Sequence, residues 1–314
     1  MGAIRMPLIE QTLEGKINKV KIAIERIKNF CPITNGFMDE PYFVGYSGGK
    51  DSDALRILFE LSGVKHDLVH NHTTVDAPET VNYIRSIPNV EISYPKMSMW
   101  ELIVKKGIPP TRQMRYCCSE LKERGGVGRF ISTGVRWSES VKRKSLRGLA
   151  EVQTRKVENK LTLLNDNAEN RRLFETCQLK GRRVVNPIID WNDEDVWELL
   201  KHHGCKSNPL YEEGSDRIGC IGCPLASKQK QIESLERYPK YKEAYLRAFE
   251  QMLKRRLEIG MMFEKKQADA SADVKKWKTA QDVMDFRLRE RPPDFKYVKG
   301  IFTEQLRLSL DYLD

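Results

Sequence analysis

Tyr42-Phe43-Val44-Gly45-Tyr46 runs straight into Ser47-Gly48-Gly49-Lys50-Asp51-Ser52, and this junction decides the fold. The first five residues are a short apolar run of strand type. Leu55, Leu58, Phe59 and Leu61 then recur at helical spacing as far as Gly63. Glycines between a strand and a helix let the backbone come close to a ligand, and the free N–H groups of the helix start favour a phosphate. The loop lacks the spacer of the GxxxxGK nucleoside-triphosphate loop. A Gly-Gly pair alone is an ordinary turn, but the whole six-residue string between strand and helix is far more specific.

Working outward, strands are expected at 67–71, 90–94 and 129–135, with helices at 79–87 and 99–106 between them. This alternation predicts an α/β fold: a mostly parallel twisted sheet with helices on both faces. Upstream, Ile17, Val20, Ile22, Ala23, Ile24 and Ile27 suggest an amphipathic helix over 8–30, ended by Cys31-Pro32 and Gly36. Downstream, the polar stretch 148–183, around Asn165-Asp166-Asn167, suggests a loop or hairpin insertion. Order returns at Val184-Val185-Asn186-Pro187-Ile188. A helix follows with Asn192 or Asp193 as cap, Val196, Trp197, Leu199 and Leu200 as its apolar stripe, and Gly204 as its end. Residues 230–266 and 272–290 suggest helices, the second broken by Arg291-Pro292-Pro293. The expected division is an N-terminal helix (1–38), a nucleotide-binding α/β domain (39–228) and a helical appendage (229–314).

The 314 residues carry 54 Lys+Arg against 44 Asp+Glu, a net charge of +10. Twenty-seven Phe, Trp and Tyr supply large core residues and exclude a disordered chain. No apolar run is long enough to span a membrane, and 1–10 lacks the order of a signal peptide, so a cytoplasmic location is expected. Charge is uneven: residues 105–147 hold twelve Lys/Arg and three acids. Such a segment either attracts a polyanion or is a solvated face balanced by acids elsewhere.

Seven cysteines are too few for a disulfide scaffold. Cys117 and Cys118 are adjacent, and Cys220 and Cys223 form a CxxC. Four thiolates suffice for a tetrahedral zinc or an iron–sulfur cubane. Adjacent side chains diverge, which suits spread irons better than one zinc; uncoordinated thiols are the third reading. Cys205 is a candidate fifth ligand or sulfur relay against the plainer reading of a helix-end cysteine. His202 and His203 have the wrong spacing for a helical metal pair.

The Ser47–Ser52 loop resembles the PP-loop of the N-type ATP pyrophosphatases, which split ATP between its α and β phosphates. Further blocks, over roughly 40–226, resemble the phosphoadenosine-phosphosulfate reductase branch. They are Asp76-Ala77-Pro78-Glu79-Thr80, Arg115-Tyr116-Cys117-Cys118-Ser119-Glu120-Leu121-Lys122 and Thr133-Gly134-Val135-Arg136-Trp137-Ser138-Glu139-Ser140. Asn186-Pro187-Ile188, Asp190-Trp191, Asn208-Pro209-Leu210-Tyr211 and Arg217-Ile218-Gly219-Cys220-Ile221-Gly222-Cys223-Pro224 follow in order. The resemblance implies an adenine nucleotide alpha hydrolase-like fold. It also implies a nucleotide held by Ser47, Gly48, Gly49, Lys50, Asp51, Ser52, Gly134, Arg136 and Arg143, with Lys50, Asp51 and Arg136 catalytic. Lys142 is a further candidate phosphate contact. Iron–sulfur adenylylsulfate reductases, which this chain resembles, carry the Cys117, Cys118, Cys220 and Cys223 pattern on a [4Fe-4S] cluster.

Two departures bear on function. Sulfonucleotide reductases use a thiol in a C-terminal Glu-Cys-Gly motif, whereas the last cysteine here is Cys223. They also usually carry a degenerate loop, whereas this one is intact. The combination resembles the ATP-pyrophosphatase component of DNA phosphorothioation systems. That resemblance implies ATP with Mg2+ as substrate, a nucleic-acid acceptor (DNA before tRNA), a cysteine desulfurase or other sulfur donor, and no membrane. The competing expectations are a phosphoadenosine-phosphosulfate or adenylylsulfate reductase releasing sulfite, and a non-catalytic nucleotide-binding subunit.

Overall fold

The computed structural model describes residues 8–12, 15–112, 114–123, 125–154, 160–165, 167–177, 181–263 and 277–288. An antiparallel pair, β1 (Ile9–Thr12) and β2 (Gly15–Asn18), precedes helix α1 (Lys19–Asn29). Strand β3 (Tyr42–Gly45) leads to α2 (Lys50–Ser62), β4 (His66–Asn71) to α3 (Pro78–Ser86), and β5 (Val90–Ser93) to α4 (Met99–Lys106). Beyond a π-helical turn at Cys118–Lys122 come β6 (Ile131–Ser132), α5 (Val141–Leu146), β7 (Ala150–Gln153), β8 (Leu161–Leu163), α6 (Ala168–Thr176) and β9 (Arg182–Val185). The later helices are α7 (Asp193–His202), α8 (Pro209–Glu212), α9 (Lys228–Arg237), α10 (Pro239–Phe263) and α11 (Ala280–Arg287).

The described chain forms two compact units. The first comprises residues up to 71, 78–93 and 124–218, and it contains the whole seven-stranded sheet, ordered β5-β4-β3-β6-β9-β7-β8. The first five strands run parallel, as expected, while β7 and β8 add an antiparallel edge. Both faces of β3 are covered: Tyr42 and Val44 join Leu55, Leu58 and Phe59 of α2 with Phe130 and Trp191, while Phe43 packs with Val69, Ile131 and Val184. A parallel strand buried on both sides reads as a continuous apolar run. From β3 the chain winds outward to β4 and β5, then crosses to β6 on the other flank of β3. The carboxyl ends of β3 and β6 therefore form a topological switch point, where open sheets bind ligands.

Local signals behave as physics requires at α7, where Asn192 accepts the Asp195 N–H at 2.8 Å in a reciprocal capping box. Several expectations need correction. The helix expected over 8–30 begins only at Lys19, because Gly15 is a poor helix former and Asn18 caps the helix by accepting from Lys21 N–H. The strand expected over 129–135 is just Ile131–Ser132. Trp197 leaves the apolar stripe, being 38% exposed and packed edge-on against Tyr211. The hairpin alternative for 148–183 is borne out: β7–β8 forms there, but it joins the main sheet and is followed by α6. Residues 230–266 divide at Tyr238-Pro239 into α9 and α10, since proline has no N–H with which to continue a helix. Arg291-Pro292-Pro293 lies outside the described residues.

The second unit joins 72–77, 94–123 and the residues from 219 onward. Here α10 packs on α4, α9 and α11. All four cysteines of the Cys-Cys and CxxC pairs belong to it. No described helix is long and apolar enough to cross a membrane.

Candidate nucleotide site and cysteine group

The loop after β3 turns at Gly48, which glycine suits because its φ is +70° and a Cβ there would lie 2.9 Å from the Ile84 side chain. Ser52 then fastens the helix start: its Oγ accepts the Gly49 N–H at 3.1 Å and donates to the Gly49 carbonyl at 2.7 Å. Ser47 Oγ lies 3.3 Å from it. Gly134, just beyond β6, passes so close that a Cβ there would sit 2.8 Å from the Asp51 carbonyl oxygen. Contact between the two loops thus depends on a missing side chain.

Charge gathers at this contact. Arg136 is 1% exposed, and its Nε lies 2.8 Å from Asp51 Oδ1 while Nη2 donates to Asp193. Lys50, 7% exposed, places its Nζ 3.5 Å from Asp193 and 3.9 Å from Asp51. Burial pushes the Asp51 carboxyl up in spite of Arg136 and Lys50. Two cations and two carboxylates therefore meet at the amino end of α2, an arrangement suited to exchange internal carboxylates for ligand phosphates. Arg143, on α5, is paired with Glu139 rather than with Asp51, although the Asp51 charge acts on it.

Three contributors escaped the sequence reading. Tyr211 Oη accepts the Lys50 N–H at 3.0 Å, covering a first-turn amide. Asn208 is fully buried and donates to the Gly48 carbonyl at 3.0 Å and to Thr80 Oγ1 at 3.1 Å. Asp193 was read only as a possible cap. The Asn208-Pro209-Leu210-Tyr211 block was itself the signal, but nothing local says which loop it meets.

Beneath the loop, Asp53 is fully buried and accepts from Tyr46 Oη. Tyr83 Oη lies 3.0 Å from Asp53 Oδ2 and 2.7 Å from the Lys206 carbonyl. One phenol proton cannot serve both acceptors. Protonation of Asp53 would relieve the conflict, letting Asp53 donate to Tyr83 and Tyr83 to the Lys206 carbonyl. Burial accordingly raises the Asp53 carboxyl to about 6, against the hydrogen bonds from Tyr46 and Tyr83. Cys205 lies in the same unit, its Sγ 3.5 Å from Arg56 Nη2.

In the second unit, Cys117 and Cys118 stand at the head of the π-helical turn, and none of the four cysteines is in a disulfide. Cys117 donates to Cys118, which raises the Cys117 thiol, and burial and the charges of Cys118, Cys220 and Cys223 act in the same direction. The same hydrogen bond, aided by Lys122 and Arg115 against burial, lowers Cys118 to about 6. Cys220 lies 3.6 Å from Thr73 Oγ1 and is hydrogen-bonded to Lys122. The four thiols thus act on one another electrostatically. Among the described residues, however, no three His, Cys, Asp or Glu side chains are arranged to hold one metal ion. As soft sulfur donors outside any disulfide they suit an iron–sulfur cluster, whose metals are spread over several positions.

Residues 41–226, well over half of the chain, match the family model described as the phosphoadenosine phosphosulfate reductase domain. An uncharacterized protein of Methanocaldococcus jannaschii is 29% identical over 247 residues, 76% of this chain and 47% of that one. Adenosine 5′-phosphosulfate reductase of Allochromatium vinosum is 39% identical over 46 residues, 15% of this chain and 18% of that one. The chain spans less than half the length of the curated relatives it matches over the longest stretches. A solved structure of the U34-tRNA thiolase NcsA from Methanococcus maripaludis with its [4Fe-4S] cluster has a TM-score of 0.40 at 11% identity, covering 90% of this chain and 96% of that one.

Proposed function

This chain belongs to the phosphoadenosine phosphosulfate reductase domain family, and from that premise we propose that it is an ATP pyrophosphatase. It adenylates an acceptor oxygen for replacement by sulfur, with nucleic acid as the acceptor and DNA before tRNA, as in phosphorothioation. The intact loop carries this reading: a glycine turn at Gly48, a helix start at Lys50, and Lys50 and Arg136 facing Asp51 and Asp193.

In the proposed reaction, Ser47, Gly48, Gly49 and Ser52 cradle the triphosphate, Gly134 keeps the second loop close, and Arg143 reaches an outer phosphate. Asp51 meets the Mg2+ that accompanies ATP. The acceptor oxygen attacks the α-phosphorus, and the bond to the β-phosphate oxygen breaks. Lys50 and Arg136 offset the charge that develops on the departing pyrophosphate, a task for fixed cations in a dry site. Sulfide, or the outer sulfur of a desulfurase persulfide whose S–S bond a thiol reductant then cleaves, displaces AMP from the acceptor. Cys117, Cys118, Cys220 and Cys223 would hold a [4Fe-4S] cluster, which supplies an iron site able to take up sulfur.

Pyrophosphate and AMP released from ATP by anaerobically purified protein, with and without DNA or tRNA, test the reading. Equal amounts of both products are expected, with a loss of about a hundredfold or more in Asp51→Ala. Absence of pyrophosphate with either nucleic acid and a sulfide source would overturn it. The similarity to adenosine 5′-phosphosulfate reductase favours one competitor, which would instead release sulfite from adenylylsulfate with a thiol reductant.

A further inference from the structure

The hairpin from Cys220 to Cys223 is held by three helices that lie outside the family-matched residues. Tyr245 of α10 donates to the Ile221 carbonyl at 3.1 Å, and Ser234 of α9 accepts the Gly222 N–H at 2.8 Å. From α11, Arg287 donates through Nη2 to the Gly222 carbonyl. Gly222 has a φ of +62°, and a Cβ there would come within 3.3 Å of Arg287 Nη2 and of Leu235 Cδ2. The guanidinium thus lies directly against the hairpin, with its carbon 4.3 Å from the Tyr245 ring centroid.

Arg287 is 6% exposed, and its Nε and Nη1 have no hydrogen-bond partner among the described residues. A buried cation with two unspent donors is expensive unless an anion faces it. No carboxylate among the described residues pairs with it, while two of the four thiols flank the glycine it touches. A cluster bound by four thiolates is anionic, and hydrogen bonds to its sulfurs and nearby charge set its reduction potential.

We propose that Arg287 is the charge and hydrogen-bond partner of an iron–sulfur cluster on Cys117, Cys118, Cys220 and Cys223, held against the CxxC hairpin by α11. This rests on the cluster assigned above. Arg287 is a positioning and tuning residue: its charge favours the reduced, more negative state, and removing that charge makes reduction harder.

The test is an anaerobic redox titration of the full chain followed by electron paramagnetic resonance, with iron and acid-labile sulfide counted first. Arg287→Gln is expected to keep its iron and to shift the oxidised-to-reduced balance at least tenfold toward oxidised, about 59 mV for one electron. Arg287→Lys, which keeps the charge, should hold the wild-type potential but change the Fe–S stretching frequencies, because the fork of donors is lost. Tyr245→Phe loosens the hairpin without altering charge and should leave the potential in place. A loaded Arg287→Gln with wild-type potential overturns the proposal, as does an equal shift in Tyr245→Phe. Should Arg287→Gln fail to accumulate, unchanged stretching frequencies in Arg287→Lys overturn it. Wild-type protein without iron or labile sulfide defeats the cluster reading itself, an outcome distinct from these.

Discussion

Asp53 shows what a single residue contributes beneath the loop. Its carboxyl is raised by burial to about 6, compared with about 3.9 in an unfolded chain. The folded protein therefore binds this proton more tightly, and the resulting stability is complete below pH 4 and lost as pH rises through 6. Urea unfolding of wild type and Asp53→Asn across pH 4–7.5 should give a difference that changes by roughly 2–3 kcal/mol over that window. A flat difference would show Asp53 ionised throughout. None of this was legible in the string Lys50-Asp51-Ser52-Asp53, where two similar acids stand two places apart. Helical geometry turns Asp51 toward Arg136 and Asp53 toward Tyr46 and Tyr83. Tyr83 comes from α3 and Arg136 from the segment after β6, so no local pattern separates the two roles.

At the level of elements, the β7–β8 hairpin is the instructive case. Its sequence looked like a polar insertion because one of its inward positions is Glu151, with no exposure at all. That carboxylate accepts from Arg147 Nε at 2.7 Å, the Gly148 N–H at 2.8 Å, Gln153 Nε2 at 2.7 Å and Asn186 Nδ2 at 3.3 Å. A buried charge with so many donors secures the edge of the sheet to β9, but its cost to the apolar pattern hides the strand from a periodicity search. Glu151→Ala should destabilise by about 3 kcal/mol in urea unfolding, since it leaves the donors facing a void. Glu151→Gln should lose less, about 1–2 kcal/mol. A loss below 0.5 kcal/mol for Glu151→Ala, roughly the scale of a surface change, would mean that the hairpin is held by its apolar residues alone. By contrast, α4 and α7 were legible almost to the residue, because Ser98 and Asn192 cap them with side chains one turn away.

Across the whole molecule, the basic stretch 105–147 is divided between the two units, and at least three of its twelve cations pair with acids from elsewhere in the chain. Arg129 pairs with Glu40 and Asp67, Arg136 with Asp51 and Asp193, and Arg147 with Glu151. Lys142 and Lys144 on α5 remain exposed. Nucleic-acid binding should accordingly be modest and salt-sensitive, and the double variant Lys142→Ala, Lys144→Ala should flatten the log K against log salt slope for duplex DNA by up to about 2. An unchanged slope would remove α5 from the interface, and no binding at low salt would remove nucleic acid from the proposal. By itself the sequence determined the parallel α/β architecture, the phosphate-type loop and the existence of a four-thiol set, because periodicity, capping and short motifs act within one or two turns of chain. Only the tertiary structure decided that Asp193, Asn208 and Tyr211 join the loop, that Arg129, Arg136 and Arg147 of the basic run meet acids from elsewhere, and that Arg287 lies against the CxxC hairpin. Those contacts link residues dozens to more than 150 positions apart, and their pairing is set by how helices and strands pack, which no local pattern encodes.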